Sequence, residues 1–305
     1  MSDTTELTER VESGKTVLAL DSQILNSIQL CPYRTMLEYL EHYTALHAPA
    51  YYEKGDIMHQ LLAHYYEALR KGRTDRRDFI EEAVRNVRQA TVGMDLSDSE
   101  VELAIQNIRA YFEYYENDGW KPLEIERPFS KILFEDEKYR VIYEGRIDLV
   151  VDAPEGIRIV DHKSASIRKQ PISLSNQFMG YSWAIDQPTV VVNKIGTQKT
   201  LGPRERFNRY RFRYEADRIM EWYANSVWWV KQLIYHIEQD MWPKNFTSCD
   251  KYSGCIFVPI CESIPQVREW KLESQFKVRE IPWSPYNQSN EERDLTALPG
   301  FEATE

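Results

Sequence analysis

Two aspartates and a lysine stand in a stretch that otherwise reads as buried strand. Residues 143–164 run YEGRIDLVVDAPEGIRIVDHKS and carry Asp148, Asp161 and Lys163 among two short apolar runs. APEG, residues 153–156, suits a hairpin loop, with Pro154 at the second position of the turn and Gly156 at its end. That register sets Asp152 opposite Ile157, Val150 opposite Ile159 and Asp148 opposite Asp161. Directly opposed residues have Cβ atoms roughly 4.5–5.5 Å apart, and like charges so placed destabilise a sheet. Strand alternation puts Asp161 and Lys163 on one face. Two carboxylates and an ammonium therefore converge where apolar neighbours exclude water. A raised carboxylate pKa would offset the repulsion, and so would a bound divalent cation. Mg²⁺ takes one or two carboxylates together with waters and phosphate oxygens. A lysine beside it can orient a nucleophilic water or stabilise charge developing on a phosphate. A solvated hairpin end with a plain Asp–Lys ion pair would carry the same residues.

Two further motifs flank the hairpin. KGDIMHQLL, residues 54–62, places His59 in a helical pattern, and NQFMGYSWA, residues 176–184, places Gln177 and Tyr181 four apart on one helical face. The order G-x-x-x-H, G-R-I-D, D-H-K, Q-x-x-x-Y resembles the RecB-like branch of the PD-(D/E)XK nuclease superfamily, over residues 22–263. The resemblance implies a restriction-endonuclease-like α/β core, a central mixed sheet flanked by helices. It implies that Asp148 and Asp161 bind Mg²⁺ or Mn²⁺, with His59 completing the metal shell, and that Lys163 is the catalytic lysine. Gln177 and Tyr181 would brace the catalytic site and contact DNA, and Glu126, in LEIERPF, would be an extra carboxylate. Each residue has a plainer alternative: a packed histidine, a core tyrosine, a surface glutamate.

The cysteines are Cys31, Cys249, Cys255 and Cys261, the last three in a C-x5-C-x5-C array. In a reducing compartment such clustering favours a metal over disulfides, and four thiolates suit a tetrahedral zinc or an iron–sulfur cluster. The spacing does not match the paired C-x2-C knuckles of common zinc ribbons. It is similar to the iron–sulfur subgroup of these nucleases, found among helicase-associated and CRISPR-adaptation exonucleases. There one N-terminal and three C-terminal cysteines hold a [4Fe–4S] cluster that staples the ends of the domain. Many members have C-x2-C-x5-C, whereas the first gap here is x5.

The elements that must position these residues follow from hydrophobic periodicity. Helical patterns cover 22–46, 54–71, 77–92, 98–118, 173–186 and 215–239. Strand patterns cover 123–134, 139–152, 157–164, 189–195 and 206–214. The expected layout is a mobile leader over 1–20, a helical N-terminal part over 21–122, a nuclease core with the C-terminal cluster-binding array over 123–265, and an irregular tail over 266–305. No apolar run approaches the ~18 residues of a membrane span, and the polar, acidic start lacks the character of a signal peptide. A cytoplasmic protein is expected, of a cell or of a virus acting within one.

The formal charge is −10, yet its distribution is uneven. From Arg158 to Arg213 there are eleven Lys/Arg against three Asp/Glu, a local +8 that leaves −18 for the remainder. Local patches rather than net charge describe partners. RFNRYRFRY puts Arg209, Arg211 and Arg213 on one strand face to meet phosphates, and Tyr210, Phe212 and Tyr214 on the other, either to stack on bases or to join the core. The function expected is hydrolysis of phosphodiester bonds at DNA ends or in single strands, in recombination, repair or replication. The alternative is a DNA-binding scaffold for a recombinase or helicase that kept the fold and lost catalysis.

Overall fold

In the computed structural model, which describes residues 10–12, 14–46, 51–90, 97–163, 172–196, 202–251 and 254–279, the periods of the sequence become packed elements. The first are β1 (Arg10–Glu12), β2 (Lys15–Leu20), α1 (Ser22–Leu30), α2 (Pro32–Thr35) running into a π-helical turn at Met36–Leu40, and β3 (Tyr43–Ala45). Next come α3 (Tyr51–Arg70), α4 (Arg76–Ala90) and α5 (Asp98–Tyr114), then β4 (Lys121–Glu135), β5 (Tyr139–Ala153) and β6 (Gly156–Lys163). They are followed by α6 (Asn176–Ile185), β7 (Thr189–Ile195), α7 (Pro203–Arg206), β8 (Phe207–Arg213) and α8 (Ala216–Gln239). The last are α9 (Val258–Cys261), α10 (Arg268–Gln275) and β9 (Phe276–Val278). The main sheet has the order β1-β2-β5-β6-β7-β8, with β4 also on β5. It is mixed, since β2–β5 and β6–β7 are parallel while β5–β6 and β7–β8 are antiparallel. This is the α/β architecture expected, a mixed sheet with helices against it. No helix among the described residues is long and apolar enough to cross a membrane.

The chain divides into two compact units, one of Met1–Leu46, Ile132–Gly145 and Trp229–Glu305, the other of His47–Lys131 and Arg146–Trp228. These interleave in sequence, so the expected division at 122/123 does not describe them; β4 and β5 each contribute to both. In the second unit, Ile57, Leu61, Phe79, Val87, Ile105 and Ile108 of α3, α4 and α5 pack on Leu149, Val151, Val160 and Val191 of the sheet. Helical and strand periods meet there as two apolar faces. On the opposite face, Phe178 of α6 stacks on Phe212 of β8. The hairpin forms in the expected register, Asp152 opposite Ile157 and Val150 opposite Ile159. Gly156 closes its turn at φ +103°, a conformation open to glycine for want of a Cβ.

The first unit departs from the sequence reading in three places. Lys15–Leu20, expected in a mobile leader, is a strand parallel to Tyr139–Tyr143 of β5, with Val17, Leu18 and Leu20 buried. Six residues are too few to show a period, and the partner lies more than a hundred residues along the chain; residues 1–9 lie outside the described residues. The helix expected over 22–46 is interrupted, because Pro32 has no N–H to continue α1 and instead begins a new helix. The tail expected to be irregular from 266 contains α10 and β9, and β9 pairs with β3. Phe276 anchors it by stacking on Phe257, with Leu37 and Ile260 in the same cluster. Residues 280–305 of that tail lie outside the described residues.

Candidate metal centre

Asp148 on β5, Asp161 and Lys163 on β6, His59 on α3 and Glu126 on β4 all belong to the second unit. His59 Nδ1 lies 3.5 Å from Asp148 Oδ2. His59, Glu126 and Asp148 each offer a ligand atom within 4.8 Å of the others. His59 and Asp148, both expected to bind metal, thus come together with Glu126, expected as an extra carboxylate, while Asp161 lies outside this group. Arg146 of the G-R-I-D motif holds the Glu126 carboxylate, Nε to Oε2 at 2.7 Å. Glu126 has φ +50°, a left-handed backbone that typically costs a side-chain-bearing residue about 1–3 kcal/mol. No sequence signal announces such a conformation in the middle of a strand.

The backbone ladder of the hairpin ends at Leu149 opposite Val160, one pair short of the aspartates. Beyond it, the His162 N–H donates to Asp148 Oδ2 at 2.7 Å, so a carboxylate takes the bond a carbonyl would have accepted. Asp161 is only 1% exposed. Lys163 Nζ lies 3.2 Å from its Oδ1, as a hydrogen bond, and 3.0 Å from its Oδ2. Oδ2 accepts no hydrogen bond although it is buried, and buried polar atoms ordinarily find a partner. His59, Glu126 and Asp148, one imidazole and two carboxylates with ligand atoms within 4.8 Å of one another, fit a divalent cation such as Mg²⁺ or Mn²⁺. On α6, Gln177 Nε2 donates to Tyr181 Oη at 2.9 Å, and Tyr181 Oη donates to the Arg146 carbonyl at 3.1 Å. The pair braces the strand that presents Arg146 and Asp148, and Tyr181 is itself buried.

The charges respond to one another. Burial pushes Asp161 up to about 6, with Lys163 pulling it down and Asp148 pushing it further up. Burial would also raise Asp148, but His59, His162 and Lys163 outweigh it and hold it well below the usual carboxylate range. His59 is lowered by burial and raised by Asp148 and Glu126, which win and carry it up to about 9. Lys163 is likewise lowered by burial, yet Asp161 and Asp148 raise it overall, so it stays an ammonium. His162 is pushed down to about 3, chiefly by burial, and is neutral.

A sequence model of the PD-(D/E)XK nuclease superfamily matches residues 23–262. The chain belongs to the PD-(D/E)XK nuclease superfamily. Members are nucleases that use divalent metals, in keeping with the acidic trio. Among solved structures, the chain is similar to SSO0001 at 15% identity, over 84% of this chain and 90% of that one, with a TM-score of 0.38. It is also similar to a putative exonuclease from Eubacterium rectale at 9% identity, over 80% and 90% of the two chains, with a TM-score of 0.45. No curated protein matches the chain.

Behind this PD-(D/E)XK centre runs a buried polar chain that the sequence did not announce. Asn193 Nδ2 lies 2.8 Å from His162 Nδ1 and donates to Tyr111 Oη at 2.8 Å. Tyr111 Oη also meets Tyr66 Oη at 2.9 Å and accepts from Arg209 Nη2 at 3.0 Å. Arg209 reaches Asp118 at 2.7 Å. Arg209, expected beside Arg211 and Arg213 as a DNA contact, is thus mostly buried and committed to internal partners, whereas Arg211 and Arg213 are exposed on β8. A lone Asn in the apolar strand TVVVNKI was the one available hint of this network.

In the first unit, Cys31, Cys249, Cys255 and Cys261 line one pocket together with Arg34 and Lys244, and all four are free thiols. The Asn245 N–H donates to Cys31 Sγ at 3.4 Å. Burial raises the thiols of Cys255 and Cys261, while Arg34 opposes this at Cys255 and Lys244 at Cys261. Four soft sulfurs lining one pocket are the donor type of a thiolate-ligated metal group, yet among the described residues no three of them come within 4.8 Å of one another as the ligand atoms of the trio do.

Proposed function

We propose that the chain is a Mg²⁺- or Mn²⁺-dependent deoxyribonuclease of the RecB-like branch, acting inside the cell on DNA ends or single strands. The carrying observation is the convergence of His59, Glu126 and Asp148 within 4.8 Å beside the Asp161–Lys163 pair. His59, Glu126, Asp148 and Asp161 would hold the ion, which when bound would acidify a water and neutralise phosphate charge. The His162 N–H fixes one oxygen of Asp148, and the Gln177–Tyr181 brace fixes the strand that presents it. The ammonium of Lys163 is held by Asp161 where charge would develop on the phosphate, a stabilisation realised most fully in the transition state. Exposed Arg211 and Arg213 supply cations for the DNA backbone.

In this reading Cys31, Cys249, Cys255 and Cys261 hold a [4Fe–4S] cluster that staples the first unit. Support comes from their common pocket and from the family resemblance of their order. The setting would be recombination, repair or replication, alongside a helicase or recombinase. The experiment is product mapping on 5′- and 3′-labelled single- and double-stranded DNA, with Mn²⁺ or Mg²⁺ against EDTA, for the wild type and Asp148→Asn. Metal-dependent cleavage lost in the variant is expected. A wild-type protein that binds but never cuts these substrates would instead be the DNA-binding scaffold.

A further inference from the structure

Arg146 stands two residues before Asp148 on β5 and joins three parts of the second unit. Its carbonyl accepts from Tyr181 Oη of α6 at 3.1 Å, and Tyr181 Oη in turn accepts from Gln177 Nε2 at 2.9 Å. Its guanidinium holds Glu126 of β4, Nε to Oε2 at 2.7 Å. A carboxylate oxygen of Glu126 lies within 4.8 Å of ligand atoms on His59 and Asp148. A cation therefore stands at the edge of a centre whose donors suit another cation. On Coulomb grounds alone an arginine in that place repels a metal ion.

Stability does not account for the arrangement. Glu126 keeps its left-handed backbone, φ +50°, within a strand. Such a conformation persists only where the surroundings over-determine it, and it clusters at functional sites. Both side chains of the ion pair are partly open to solvent, at 23% and 16%. Pairs in contact with water contribute little, no more than the lower end of what a strained backbone costs. The pair therefore does not offset the strain it accompanies, and orientation is the use that remains. Arg146 on Oε2 sets the tilt of the Glu126 carboxylate, which supplies a ligand atom of the trio. Ligating carboxylates are ordinarily held in this way by a hydrogen-bonding partner behind them.

We propose that Arg146 is a positioning residue of the metal centre, orienting Glu126 as a ligand, so that a positive side chain strengthens the binding of a positive ion. Gln177 and Tyr181 act through it, because the Tyr181 hydroxyl holds the backbone from which the guanidinium reaches Glu126. The inference rests on the metal centre of the proposed function and is independent of DNA cleavage.

The test is Mn²⁺ titration of the full chain by calorimetry, for wild type, Arg146→Met, Glu126→Gly and the double variant. Met keeps the aliphatic stem and removes the charge, and Gly removes the carboxylate while suiting the positive φ. Loss of the partner behind a metal ligand typically costs 10–100-fold in affinity, so Arg146→Met is expected to bind Mn²⁺ about tenfold or more weakly. The melting temperature of the metal-free protein should stay close to that of wild type, which a purely structural role would not allow. In the Glu126→Gly background the same change should cost nothing or raise the affinity, because only repulsion is then left to remove. Unchanged or tighter binding by Arg146→Met overturns the inference, since repulsion alone predicts it. An equal loss in the Glu126→Gly background also overturns it, because Arg146 would then act elsewhere. The titrations are repeated at about pH 7 and about pH 8.5, and a loss confined to the lower pH would assign the effect to the His59 proton and overturn the inference too. Where Arg146→Met does not fold, Arg146→Lys carries the same test, since an ammonium keeps the charge without the planar fork: weaker binding supports the role, and equal or tighter binding overturns it. Wild-type protein that binds no Mn²⁺ would remove the metal centre and this role with it, whereas protein that binds Mn²⁺ yet cuts no DNA would leave the role standing.

Discussion

Divalent-metal binding at the trio should release a proton, and His59 should supply it. Its imidazole has a third of its surface open to solvent, yet Asp148 at 3.5 Å and nearby Glu126 outweigh burial and carry its pKa up to about 9. A metal ligand must be the neutral imidazole, so protonation and metal compete for the same nitrogen. At pH 7 only about one molecule in a hundred would have His59 neutral, so the apparent affinity should be roughly 100-fold below its high-pH limit. It should rise about tenfold for each pH unit between about pH 7 and 8.5. Asp161, at about 6, is already ionised through most of that range and should add little. The assay is Mn²⁺ titration by calorimetry in buffers of different ionisation enthalpy, which counts protons directly. About one proton released near pH 7.5 is expected, together with a flat pH profile in His59→Gln. An apparent affinity independent of pH in the wild type, or the same slope in His59→Gln, would refute the assignment of His59 as a protonated ligand.

Asp21 caps α1 by accepting the N–H groups of Gln23 at 2.7 Å and Ile24 at 3.0 Å, but burial outweighs these bonds and pushes its carboxyl up to about 7 from an ordinary 3.8. Its folded pKa exceeds its unfolded one, so its contribution is complete below about pH 4 and is lost as pH rises through about 7, some 4 kcal/mol in all. Asn keeps an acceptor for the cap, so the stability of Asp21→Asn relative to wild type in urea should climb from pH 5 to 8; a constant difference would show that Asp21 is not the titrating group. Lys163→Ala should lower kcat with little change in Mn²⁺ affinity, and Lys163→Arg should rescue poorly because a planar guanidinium is not a compact ammonium; full rescue by Arg would remove lysine from the chemistry. Cys31→Ala should lose its iron and melt earlier, since a link from Cys31 to the 249–261 array closes a loop of more than two hundred residues, by analogy with a long disulfide worth roughly 4 kcal/mol. One zinc and no iron in anaerobically prepared wild type would replace the cluster with zinc, and unchanged metal content and melting temperature in Cys31→Ala would dismiss the staple.

What the sequence determined by itself is what neighbours along the chain decide. The hairpin register followed from APEG and strand alternation, because a tight turn leaves few ways to pair the residues beside it. The Gln177–Tyr181 contact followed from a four-residue spacing on one helix. Tertiary structure alone decided which side chains met across long separations. Arg209 and Asp118 are 91 residues apart, and nothing near either one in sequence predicts that they pair instead of facing solvent. Glu126 joined His59 and Asp148 through a left-handed backbone and its ion pair with Arg146, both products of how β4 lies beside β5. Lys15–Leu20 became a core strand because β5 offered it a parallel edge. A parallel partner needs a crossover, so the segments that pair lie far apart in sequence, beyond the reach of local periodicity.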